Sequence, residues 1–133
     1  MDRFAFLALV VASSACFGCS APAPAETTVS LVSERGLLDA EISVGTPVAR
    51  GNNELFVQLR PHAKVADGPA RLLAVNATMA AHAHEAHAEA IDETDSGFHA
   101  RELDLFMTGR WLVTLDVALA GEPDSVSLPI DVP

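Results

Sequence analysis

The chain has no tyrosine, one tryptophan and only two cysteines in 133 residues. Both cysteines, Cys16 and Cys19, fall near the N-terminus. The body beyond them therefore holds no disulfide, thiolate zinc site, iron–sulfur cluster or cysteine nucleophile. Basic residues are scarce: 8 Lys and Arg stand against 18 Asp and Glu, a net charge of −10. Such a chain repels phosphate backbones, which excludes nucleic acid as a partner. Long apolar runs are missing too. The longest near the N-terminus, Phe4–Ala12, is too short to span a bilayer. No G-x-S-x-G, Walker or Rossmann pattern occurs, and no nucleophile–base pair is legible, so no enzyme is expected. The length suits one domain.

What the N-terminus does contain reads as export. Residues 1–18 combine Arg3, the apolar Phe4–Ala12 stretch and a small-residue exit, the pattern of a signal peptide. Removing them takes away Asp2 and Arg3 and leaves the charge balance unchanged. A cysteine after small residues resembles a bacterial lipobox. Cys19, preceded by Gly18 and followed by Ser-Ala-Pro-Ala-Pro, is the expected lipidation site, with Cys16 as the alternative. Ordinary signal cleavage near Ala21–Ala25 is the other reading. The expected product is a periplasmic or outer-membrane lipoprotein, touching the membrane only through its anchor. Residues 19–28 are a Pro/Ala linker and 29–133 the domain.

Alternation dominates that domain. Trp111, Val113, Leu115, Val117 and Leu119 share one parity; Arg110, Thr114 and Asp116 share the other. The same period of two runs through Leu55–Arg60, Glu102–Met107 and Val126–Val132, and more weakly through Thr27–Ser33 and Leu38–Val44. Pro129 marks the last as an edge strand. Leu72–Met79 is apolar on both parities and suits a central strand. Turn residues separate the runs, as at Gly51-Asn-Asn53, Asp67-Gly-Pro69 and Asp95-Ser-Gly97. About seven short strands so spaced predict an all-β, antiparallel β-sandwich. The Ala- and Glu-rich segment 80–93 breaks the pattern: its composition favours a helix, its position between two strands a long loop.

That segment also carries His82, His84 and His87, with Met79 just before it and Met107 ending the next strand. Imidazole suits copper and zinc, and thioether selects Cu(I). An extended backbone puts His82 and His84 on one side; a helix puts His84 and His87 on one face. His84-Glu85-Ala86-His87 is one residue short of the zincin motif. The bland alternative is a solvated His-rich tract and two core methionines.

The order of these pieces resembles the YtkA-like domain family, related to FixH-type proteins. Met79, His82 and His84 stand where that family has methionine, methionine and histidine. Gly97-Phe98 matches its glycine-x-aromatic step in part, and Met107-Thr-Gly109-Arg-Trp111 matches its methionine-x-glycine-x-tryptophan. Gly51-Asn52-Asn53 resembles its strand entry, and the likeness covers roughly residues 35–120. Ala80 replaces the family's proline, and His82 its second methionine. The resemblance implies an immunoglobulin-like sandwich, exported, that handles copper. It also implies a membrane oxidase-assembly or efflux protein as partner. The extra imidazole moves the balance from Cu(I) toward Cu(II) or zinc. The expected ligands are therefore His82, His84, His87, Met79 and Met107. The rival reading is a non-catalytic interaction domain of the cell envelope that binds no metal.

Overall fold

The computed structural model describes residues 27–63 and 67–133. The expected signal peptide, residues 1–18, and Cys16 and Cys19 lie outside the described residues. The fold is all-β and antiparallel, and no helix occurs among the described residues. Eight strands follow in chain order: β1 Thr27–Val32, β2 Leu38–Val44, β3 Gly51–Pro61, β4 Ala70–Met79, β5 His84–Thr94, β6 Gly97–Leu105, β7 Gly109–Leu119 and β8 Glu122–Val132. They pair in the order β1-β2-β3-β6-β5-β4-β7-β8. β4, β5 and β6 are successive hairpins, and β3 returns beside β6 while β7 returns beside β4, giving two overlapping Greek keys. β8, with Pro129, is an edge strand, and β4 is central, as the sequence predicts.

The core follows the parity of the sequence. Trp111, Val113, Leu115, Leu103, Leu105 and Leu55 are fully buried, and Val57 nearly so. Their neighbours Leu112, Phe56 and Phe106 point outward and are among the exposed large apolar residues. β4 departs from expectation, because only one of its faces is buried. Leu72, Val75, Ala77 and Met79 face the core while Leu73 is 59% exposed.

Segment 80–93 is neither helix nor loop. Its first four residues make the β4–β5 turn and the rest is β5. The physical reason is a period of two hidden under helix-favouring composition. Ala86, Ala88 and Ala90 are half-buried and alternate with exposed Glu85, His87 and Glu89. Pairing with two neighbours outweighs intrinsic propensity, which is a weak bias. β5 changes partner midway: His84–His87 pair with β4, and Ala88–Thr94 pair with β6. The sheet folds over at this corner. Alanine on the inner side fits, since larger side chains would hold the two layers apart.

The two ends of the sheet are drawn together by Asp124 on β8. Its Oδ1 accepts from the backbone N–H of Arg35 at 2.9 Å and of Ser125 at 2.8 Å. Its Oδ2 accepts from the N–H of Leu37 at 3.2 Å. The N–H of Glu34 also donates to the Ser125 carbonyl at 2.9 Å. Together these make the eight strands nearly a barrel. Burial raises the Asp124 pKa. The hydrogen bonds from the Ser33 hydroxyl and from the N–H groups of Arg35, Ser125 and Leu37 outweigh it and hold the carboxyl below its ordinary value. A depressed folded-state pKa contributes stability above the unfolded value, near 4, and that contribution is lost as pH falls through the lower, folded value. Asp124→Asn should therefore cost about 1–3 kcal/mol at pH 7. The gap to wild type should narrow in acid, as urea unfolding at a series of pH values would show. A gap independent of pH would remove the carboxylate from the latch.

Gly97 enters β6 at φ 147°. A Cβ there would lie 2.3 Å from the Val57 carbonyl oxygen, on the neighbouring strand β3. Gly97→Ala must therefore shift backbone as well as strain φ, and a loss of about 2–3 kcal/mol is expected. Thermal melts compared with those of Gly36→Ala, where a Cβ meets nothing within 4 Å, separate the clash from conformational strain alone.

Candidate metal-binding rim

The β4–β5 turn comprises Ala80, Ala81, His82 and Ala83, between the paired residues Met79 and His84. The N–H of His82 donates to the Met79 carbonyl at 3.2 Å, and Ala83 closes the turn at φ 50°. This tight reversal brings His82 and His84 together at one end of the folded sheet. Their ring centroids are 6.1 Å apart, tilted by 31°. An ion held about 2.0–2.1 Å from one nitrogen of each ring lies roughly 3.2 Å from each centroid, so two rings can share one ion only when they lie within about 6.4 Å and turn a nitrogen of each toward it. His82 is exposed and His84 half-buried.

Met79 and His84 are directly opposed across the hairpin, so their side chains share a face. Met79 is 2% exposed, directed into the core at this end. Met107, in the β6–β7 connection, packs partly buried against the same core. Its carbonyl accepts a 3.0 Å hydrogen bond from the Trp111 indole N–H. The rim thus carries two imidazoles at the surface, while Met79 and Met107 pack in or against the core.

His87 stands apart. It is three residues beyond His84 on an extended strand and so faces the opposite side, where it is exposed and its Nε2 lies 3.2 Å from Glu89 Oε1. The carboxylates of the segment divide in the same way. Asp92 and Glu93 sit at the far end of β5, engaged by Arg101 and Arg71. His62 pairs with Asp39 at 2.6 Å, and His99 stacks on Phe56 at 4.3 Å, both away from the turn. Among the described residues no group of three or more His, Cys, Asp or Glu is arranged to hold a metal ion. Any ion at the rim therefore relies on the imidazole pair completed by thioether or water.

One neighbour of the rim escaped the sequence reading. Phe106 meets His84 edge to face at 5.3 Å and 74°, and meets Trp111 edge to face at 5.4 Å and 77°. Its only sequence signal was an aromatic at an outward-facing parity next to a loop. No family model matches the chain, and neither a curated protein nor a solved structure is detectably similar to it.

Proposed function

We propose that the chain is an exported, envelope-anchored metal-binding module that serves as a periplasmic copper chaperone or buffer. The observation that carries this reading is the His82–His84 pair, 6.1 Å apart on a tight turn, with Met79 directly across from His84. Imidazoles at the surface suit Cu(II) or zinc; the thioethers beneath suit Cu(I). His87 is a peripheral residue in this reading. The resemblance to YtkA-like domains supports copper over zinc and an immunoglobulin-like form of the antiparallel fold. A lipid on Cys19, or on Cys16, would tether the domain as a lipoprotein in the bacterial periplasm or at the outer membrane. There it would exchange its ion with an oxidase-assembly or efflux protein. Its role is binding, not catalysis.

The competing reading, an interaction domain without metal, draws on a mainly apolar hollow beside the turn, whose lining includes Ala80, Ala81, Trp111, Leu112 and Pro129, together with Thr78 and the charged Arg110. Titration with Cu(I) distinguishes the two. Met79→Leu conserves volume in the core and should weaken Cu(I) binding about tenfold while leaving Cu(II) binding within about twofold. The interaction reading expects no specific binding of either ion. Chain that has not been processed keeps Cys16 and Cys19 as free thiols, whose thiolates outcompete both donors, so the experiment on unprocessed protein belongs in a Cys16→Ser/Cys19→Ser background.

A further inference from the structure

We infer that Phe106 is the positioning residue of the rim: its ring fixes the His84 imidazole in place of the hydrogen bond that usually orients a metal-ligating histidine. The inference rests on the metal reading above. A ligating imidazole commonly donates its second N–H to a carboxylate or carbonyl, which sets ring orientation. Among the described residues His84 has no such hydrogen bond; its ring contacts are with Phe106 and His82. Phe106 is itself braced. It leans edge to face on Trp111, which is fully buried and anchored through its indole N–H to the Met107 carbonyl. Phe106 remains 41% exposed, so core filling alone does not account for a phenylalanine in this short connection. The series Trp111–Phe106–His84 runs from an immobile wall to a half-exposed ligand. Edge-to-face pairs of this kind have geometric preferences that a merely apolar contact lacks. Holding the ring in one rotamer before the ion arrives lowers the ordering cost of binding, and both ring nitrogens stay free of protein partners among the described residues.

Three variants test this: Phe106→Ala, Phe106→Leu and Phe106→Tyr, in the Cys16→Ser/Cys19→Ser background. Immobilising one side chain is worth about a 2- to 10-fold change in affinity, so Phe106→Ala should weaken Cu(II) and Zn(II) binding by that factor. Phe106→Tyr should restore it, and Phe106→Leu should not. The second readout needs no metal. NMR of the metal-free protein should show the His84 ring protons shifted by the neighbouring ring current in wild type and Phe106→Tyr, and near exposed-histidine positions in Phe106→Ala. Thermal melts show whether each variant keeps its fold. Equal affinities for the leucine and tyrosine variants, or His84 resonances unmoved by Phe106→Ala, would overturn the inference. A wild-type protein that binds neither ion would defeat the metal reading instead, while the metal-free spectra would still decide whether Phe106 orients His84.

Discussion

Replacing Trp111 with alanine is expected to destabilise the protein by about 3–5 kcal/mol, a large share of the total stability of a small domain. Trp111 is fully buried and belongs to the same core cluster as Leu103, Leu105 and Val113. Its loss removes the largest buried side chain, opens a cavity and leaves the Met107 carbonyl without its indole donor. The adjacent Leu112 provides the control. It is 47% exposed on the outer face, and Leu112→Ala should change stability by less than about 0.5 kcal/mol. Urea unfolding with unchanged slopes would isolate the stability term. A Trp111→Ala loss below about 1 kcal/mol would contradict the described core.

The second large effect concerns the rim. The double variant His82→Ala/His84→Ala is expected to weaken Cu(II) and Zn(II) binding at least about 100-fold, each lost nitrogen removing roughly tenfold or more. His87→Ala should change it by less than about twofold, since His87 faces the other side of β5 and is occupied with Glu89. His82 is exposed and His84 half-buried, so stability should change little, and isothermal titration of folded protein measures the difference cleanly. Equal losses for His87→Ala and His84→Ala would mean that the segment reorders around the ion.

The strands that period-two patterning reveals most clearly, β3, β6, β7 and β8, are those whose inward side chains are large and whose outward ones are mostly polar. Parity there decides burial, and Trp111, Leu103 and Leu55 sit where it puts them. β5 was illegible for the opposite reason. Its inward residues are alanines, whose helix preference and small size hide the alternation of Ala86, Ala88 and Ala90 with Glu85, His87 and Glu89. With β5 taken as a strand, the separation of His87 from His84 follows by parity alone. The extended-backbone alternative puts His82 and His84 on one side, but His82 belongs to the turn, and it is the turn that brings the two rings to 6.1 Å. The pairing of Met79 with His84 needed the length of the turn, which the residues Ala80–Ala83 do not announce. The Asp124 latch was also hidden. Gly121-Glu-Pro-Asp124 reads as a turn, and only three-dimensional closure brings it to residues 33–37, far away in sequence.

The central claim is that the β4–β5 turn binds one copper ion through His82 and His84. The only tryptophan is joined to His84 through Phe106 by ring contacts of 5.4 and 5.3 Å, close enough for bound Cu(II) to quench its emission. The most direct measurement is therefore a Cu(II) titration followed by Trp111 fluorescence, in the Cys16→Ser/Cys19→Ser background. The account predicts saturable quenching at one ion per chain, preserved in His87→Ala and abolished in His82→Ala/His84→Ala. Quenching that never saturates in the parent protein, or that survives undiminished in the double variant, would contradict it.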